Sequence, residues 1–298
     1  MRLLLSTIFV LLIGFSLHAQ ESRLAQQYFQ NGEYQKAAVL FEKLYDQNER
    51  NDYYFDRYVD CLIALERYAE AEKAIKKQLR QTPDNTKLYV TYGNLLEQQI
   101  RDEEAQEQYR KAIKNLEPDR FAVTKLANAF IGLTKYELAI ETYEKGSKLL
   151  KDDNIFSYNL GDLYRRKGDM PNMIVHYLNS LDANPNRMNT IQTLFQRYLP
   201  EEEYPELQKQ LYTRIQDDRN AMHYPELLTW VFIQSKDYAS AFRQVKAMDR
   251  RLKENGGRVY NLAQIAANDG DYDTAIDAYD YIVENKGITS SFYIDAKR

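Results

Sequence analysis

The chain holds a single cysteine, Cys61, so no intramolecular disulfide can staple it. Histidine is nearly missing. Beyond His18 there are only His176 and His223, too far apart in sequence for a paired-histidine metal helix or a compact metal cluster. Glycine is sparse, and no Gly-rich loop that could cradle a phosphate is present; Gly256-Gly257 reads as a flexible turn between repeats. Neither sign of charge dominates, with 40 Lys+Arg against 44 Asp+Glu and a net charge of -4. A nucleic-acid reader needs a basic stripe to neutralise phosphates, so nucleic acid is not the expected partner. The acids are numerous enough for carboxylate pairs to arise on helix faces without purpose, so they argue for no catalysis. These absences point to a non-enzymatic protein without a cofactor or metal.

Long apolar runs are also absent, apart from one at the start. Arg2 is followed by the apolar stretch Leu3 to Leu17 and then by Leu17-His18-Ala19, which ends in the small residue signal peptidase prefers before Gln20. Fifteen residues fall short of the roughly 20 needed to span hydrocarbon. The reading is a secretory signal over residues 1–19, cleaved after Ala19, with no integral span in the mature chain. No Cys near the cleavage site suggests a lipoprotein. The Ala-Gln ending resembles signal peptides of Bacteroidota, which places the mature protein in a Gram-negative periplasm.

What the chain does have is a period of 34. Tyr34, Tyr68, Tyr136, Tyr204, Tyr238 and Tyr272 share one column, six of eight positions for a residue that occurs 25 times in 298. Three residues on, Ala37, Ala71, Ala105, Ala139, Met173, Leu207, Ala241 and Ala275 make a mostly small column that lets helices approach. In the first half of the period, Leu24, Tyr58, Tyr92, Leu126, Leu160, Leu194, Leu228 and Leu262 precede Ala25, Val59, Gly93, Ala127, Gly161, Phe195, Thr229 and Ala263. Four residues after the Leu column come Tyr28, Leu62, Leu96, Phe130, Tyr164, Tyr198, Phe232 and Ala266. This i, i+1, i+4 spacing is the apolar stripe of one amphipathic helix. Phe41, Ile75, Tyr109, Tyr143, Tyr177, Leu211, Val245 and Tyr279 mark the inward face of a second. Turn signals such as Asn31-Gly32, Lys167-Gly168-Asp169 and Asp269-Gly270-Asp271 separate the two, and Pro83, Pro118 and Pro185 close several periods. Each period is a helical hairpin.

These columns resemble the tetratricopeptide repeat. The match is best over 52–187, and the stretch from Asn154, with Leu160, Gly161, Tyr164, Gly168, Tyr177 and Pro185, is nearest to the pattern. The resemblance implies an all-α fold, a right-handed α-solenoid of about eight hairpins whose first helices line a concave groove. Residues 20–187 form repeats 1–5, 188–225 an irregular sixth, 226–289 repeats 7–8, and 290–298 the start of a ninth. In the sixth, two prolines and three acids crowd Leu199 to Pro205, and the bulk of Leu207 is expected to push its helices apart. In the incipient ninth, Phe292, Tyr293 and Ile294 have nothing to pack on unless the chain continues or a partner covers them.

The slot two residues after the Leu column lies roughly 150° from the apolar stripe. It reads Gln26, Asp60, Asn94, Asn128, Asp162, Gln196, Trp230 and Gln264, five amides and no cation. A ladder of amides can donate to and accept from the backbone of an extended peptide, whatever its sequence. Exposed amides also serve simply as a solvated helix face. Neighbouring slots add Lys125, Tyr158, Asn159, Arg165, Gln192 and Tyr260. Trp230, the only Trp, is either an interface anchor or a gap filler. Some proteins similar to this family grip a C-terminal carboxylate with a clamp of Lys, Arg and Asn. Here Asn128 and Asn159 stand at the two Asn positions, but Thr124, Asn189 and Thr193 replace the cations, so that mode is not expected.

The expectation is a periplasmic scaffold that binds protein or peptide partners, in cell-envelope assembly or secretion. The alternative is the sensory region of a signalling protein whose membrane and effector parts lie beyond residue 298.

Overall fold

A left-handed backbone turn recurs with the same 34-residue count. In the computed structural model, which describes residues 20–48 and 51–298, φ is positive at Gly32, Glu66, Ile100, Thr134, Gly168, Lys236 and Gly270, between 57° and 89°. At each turn the next residue donates its N–H back to the third apolar column. Glu33 bonds to the Tyr28 carbonyl at 2.8 Å, Arg101 to Leu96 at 2.9 Å, and Asp271 to Ala266 at 2.9 Å. This is the Schellman closure, which satisfies carbonyls left over at a helix end and reverses the chain. The residue after that donor opens the second helix, and in five of these seven repeats it is the recurrent Tyr. Position 202 alone departs. Pro200 and a 3-10 turn over Glu201–Glu203 take its place, and Leu199 caps the preceding helix by donating to Phe195 at 2.9 Å.

The chain divides into two compact units, residues 1–151 and 152–298, each a stack of hairpins. The signal read over residues 1–19 lies outside the described residues. Unit 1 holds helical residues 20–30 (α1), then α2 (Tyr34–Gln47), α3 (Asp52–Ala64), α4 (Tyr68–Gln81), α5 (Thr86–Gln98), α6 (Asp102–Lys114), α7 (Arg120–Gly132) and α8 (Tyr136–Leu150). Unit 2 holds α9 (Ser157–Lys167), α10 (Met170–Ala183), α11 (Met188–Tyr198), α12 (Tyr204–Asp217), α13 (His223–Gln234), α14 (Tyr238–Leu252), α15 (Gly257–Asn268), α16 (Tyr272–Asn285) and the short α17 (Tyr293–Lys297). No strand occurs among the described residues. Several second helices are capped by an Asp: Asp169 accepts from the Asn172 N–H at 3.1 Å, Asp237 from Ser240 at 3.0 Å and Asp271 from Thr274 at 3.1 Å.

Inside a hairpin, two columns share one volume. A methyl on Gly161 would sit 2.5 Å from the Tyr177 ring, and one on Gly93 would come closer still to the Tyr109 ring. Both rings are fully buried. Where the first column is Gly or Ala, the second is aromatic: Ala25 with Phe41, Ala127 with Tyr143, Ala263 with Tyr279. Where the first is larger, the second shrinks, as in Val59 with Ile75, Phe195 with Leu211 and Thr229 with Val245. Close packing demands this exchange. The backbones follow suit: α5 with α6 and α9 with α10 run closest, α3 and α4 stand further apart, and α11 and α12 barely approach. The separation expected at Leu207 is therefore present, with a different emphasis. Met173 occupies the same column in the close α9–α10 pair, so Phe195 is what distinguishes the sixth hairpin.

Two sequence readings are corrected at the C-terminal end of unit 2. Gly256-Gly257 is not a loose turn. Gly256 is buried at φ 92° and donates its N–H at 2.9 Å to Asp249, a fully buried carboxylate that also takes the Tyr281 hydroxyl at 2.8 Å and Lys286 Nζ at 2.6 Å. Nor does Phe292 lack something to pack on. It stacks on Tyr260 with centroids 5.1 Å apart and lies against the bare Cα of Gly257, while Ser290 is buried and donates to the Asn255 carbonyl at 2.6 Å. Tyr293 is half-buried, and Ile294 keeps 66% of its surface exposed. Cys61 is fully buried, and burial pushes its thiol up to about 12, in keeping with an inert role.

Candidate functional site

Every residue of the polar column stays open to solvent. Asn128, Gln196 and Gln264 are exposed; Gln26, Asp60, Asn94, Asp162 and Trp230 are half-buried. Lys125, Tyr158, Asn159, Arg165, Gln192 and Tyr260 are half-buried as well. A helix whose apolar stripe packs inward must leave its opposite side outward, and the stripe here is buried or half-buried except at Leu24 and Tyr198.

In unit 1 the charges on this side are already matched. Asp52, Asp56 and Asp60 stand one turn apart along α3. Lys125 reaches across from α7 to Asp52 at 2.6 Å, Lys87 of α5 pairs with Asp56, and Arg57 with Asp60 at 3.0 Å. Burial pushes the Asp56 and Asp60 carboxyls up despite those cations. Lys125, expected to meet a ligand, is thus committed to Asp52. Beside it lies a shallow depression lined by Lys87, Phe121, Thr124, Lys125 and Asn128, where Phe121 is 76% exposed. The sequence reading missed Phe121. Its signal was available: an aromatic five residues before Leu126 falls roughly 170° from the apolar stripe, where packing gives it no work.

Unit 2 shows the same economy of charge. Asp162 accepts from Arg165 at 2.6 Å and from Arg166 at 2.8 Å. Burial opposes its ionisation, and the two guanidinium hydrogen bonds outweigh burial, so the carboxyl lies below its ordinary range. Arg165 also covers the Tyr198 ring at 4.3 Å, and Arg187 covers Tyr158 at 5.3 Å. Gln264 donates to the Tyr260 hydroxyl at 3.1 Å, and Tyr260 is held between Tyr279 and Phe292. Trp230 packs on the hydrophobic core of unit 2, which favours the gap-filling role over a free anchor. The structure therefore separates the residues singled out from sequence into two kinds. Lys125, Asp162, Arg165 and Tyr260 are engaged within the chain, whereas Asn128 and Gln196 are exposed amides.

Neither histidine joins a metal motif; His223 shares Asp182 with Arg214, and His176 feels the charge of the same arginine. Arg214 donates to Asp182 at 3.0 Å and to the Tyr224 hydroxyl at 3.0 Å; His223 Nε2 lies 3.3 Å from Asp182, and His176 stacks on Tyr164 with centroids 5.1 Å apart. Burial, then the positive charge of Arg214, pushes the His176 imidazole down. This cluster ties α10, α12 and α13 together. Among the described residues no group of three or more His, Cys, Asp or Glu could hold a metal ion, and no helix is long and apolar enough to cross a membrane.

Two family models, each described as tetratricopeptide repeat, match residues 28–91 and 124–186. The chain is a tetratricopeptide-repeat protein. Similar solved structures include the C-terminal part of a repeat-containing protein from Cytophaga hutchinsonii, 20% identical over 93% of this chain and 99% of that one, with a TM-score of 0.32. The tetratricopeptide region of yeast Sti1 in complex with pHSP90 is 18% identical over 87% and 98%, at 0.31. A thermophilic tetratricopeptide protein of Thermus thermophilus is 17% identical over 61% and 96%, at 0.34. Among curated proteins no relative matches. Tetratricopeptide repeats are in general protein-interaction scaffolds, and their shared residues are the ones that pack.

Proposed function

We propose that this chain is a non-enzymatic scaffold that holds a protein or an extended peptide against the outward side of its first helices. We place it in the periplasm, acting in cell-envelope assembly or secretion. The observation that carries the binding role is the contrast along that side. Charged groups such as Lys125, Asp162 and Arg165 are paired within the chain, while Asn128 and Gln196 remain exposed and Phe121 exposes most of its ring. A surface of amides and a bare aromatic among charges that are mostly paired suits the alternating donors and acceptors of a polypeptide backbone. The net charge of -4 favours polypeptide over nucleic acid as partner. The apolar run before Gln20 supports export.

The test is photo-crosslinking in cells. A photoreactive residue placed at Asn128 or Gln196 should trap polypeptide partners, and Phe121→Ala should reduce trapping from the neighbouring Asn128 position while helicity is unchanged. Trapping equal to that from Lys77, on a second helix, would remove the binding role. N-terminal sequencing of the exported protein should begin at Gln20; an uncleaved start would remove the periplasmic placement.

A further inference from the structure

One hairpin is short of volume. In the column of inward-facing residues on the second helices, Tyr109, Tyr143, Tyr177 and Tyr279 fill the space beneath their first helices, whereas Val245 is the smallest member. Its counterpart Thr229 is small as well, yet α13 and α14 run no closer together than the Ala/Tyr hairpin of α7 and α8, so the pair leaves a deficit. The structure shows it as an indentation between α13 and α15, of about 360 Å³, floored by the buried Val245, Met248 and Leu262. Ile265 stands at its edge 39% exposed, and the amides of Gln192 and Asn261 are on its rim. Its charge is uneven. Arg258 pairs with Glu226 at 2.9 Å and with Glu254 at 3.0 Å, so two carboxylates meet one cation at the margin.

We infer that this indentation is an anchor subsite for a large apolar side chain, Leu- or Phe-sized, of a polypeptide partner that carries a Lys or Arg beside it. The partner's side chain fills the room that a Tyr ring fills in other hairpins, and the excess carboxylate attracts the neighbouring cation. This rests on the scaffold reading above and specifies what the scaffold selects.

The experiment uses the full chain and immobilised pools of otherwise random decapeptides with two fixed central residues. The Leu-Lys pool should bind about tenfold more tightly than the Ala-Lys or Leu-Glu pools. The double variant Thr229→Ala/Val245→Tyr reproduces the Ala/Tyr pairs that the chain itself uses at Ala127 with Tyr143 and Ala263 with Tyr279, so it should fold and plug the indentation. It should erase the preference for Leu over Ala. Glu226→Gln should erase the preference for Lys over Glu. Equal binding of all pools, or a Leu preference that survives in the plugged variant, would overturn the subsite while leaving the scaffold standing. Binding of no pool at all would overturn both.

Discussion

Ile100 holds a β-branched side chain at φ 60° while 86% exposed, a conformation in which Cβ crowds the following carbonyl. Nothing in its packing compensates. Ile100→Gly should raise stability by about 0.5–1 kcal/mol, since the relief of roughly 1–2 kcal/mol exceeds the added chain entropy of glycine. Gly168→Ala, at φ 75°, should lower it by about 1 kcal/mol. Urea titrations monitored by circular dichroism would read both, and an unchanged Ile100→Gly midpoint would show that the turn is not strained. Asp249 is the residue-scale counterpart in the interior. Its carboxylate meets Gly256, Tyr281 and Lys286, and Asp249→Ala should cost about 3–5 kcal/mol because it strips the buried Gly256 N–H and Tyr281 hydroxyl of their acceptor and leaves the Lys286 ammonium only the Glu254 carbonyl.

At the scale of the element, the exchange of volume between facing columns is the main control on how closely two helices lie. Phe195→Gly alone should leave a cavity and Leu211→Tyr alone should overpack, each costing about 2–4 kcal/mol. Together they recreate the Gly/Tyr pairing of Gly161 with Tyr177 and should recover at least about 1 kcal/mol of that loss, measured as the coupling in a double-mutant cycle. Strict additivity would dissociate the two columns. The caps act at this scale too. Asp237→Ala should destabilise α14 by about 1 kcal/mol, seen as faster amide exchange in its first turn.

At the scale of the whole molecule, acid should distinguish the two units. The His176 imidazole in unit 2 is pushed below its ordinary 6.5 by burial and by Arg214. The native state therefore favours neutral His176, its contribution is complete above pH 6.5, and it fades as pH falls below that value. Asp56 and Asp60 in unit 1 are pushed the other way. Their native carboxyls hold protons more readily than in the unfolded chain, so acidification relieves unit 1 at these sites. Hydrogen exchange compared at pH 7 and pH 5 should show protection falling in α10 but not in α3, and His176→Gln should flatten the response in α10. Equal loss in both helices would refute the assignment.

The hairpin count, the turn positions and the inward columns were legible in the residues, because a period of 34 with an i, i+1, i+4 stripe has few ways to bury itself. The outward face was legible only as a list. Lys125, Asp162 and Arg165 looked available because their partners Asp52, Arg166 and Tyr198 come together only through stacking or helix winding. Phe121 was overlooked because its column carries no consistent character, and Phe292 was misjudged because its partner Tyr260 lies 32 residues away, with the whole of α16 between them.

By itself the sequence determined that this protein is a run of helical pairs, since local hydrophobic spacing and turn chemistry act over a few residues and need no distant contact. Only the tertiary structure decided which polar side chains are spent on one another, how far α11 stands from α12, and where Val245 leaves space unfilled. Those are sums over neighbours from several helices, and a sum of packing volumes and charge pairs exists only once the hairpins are stacked.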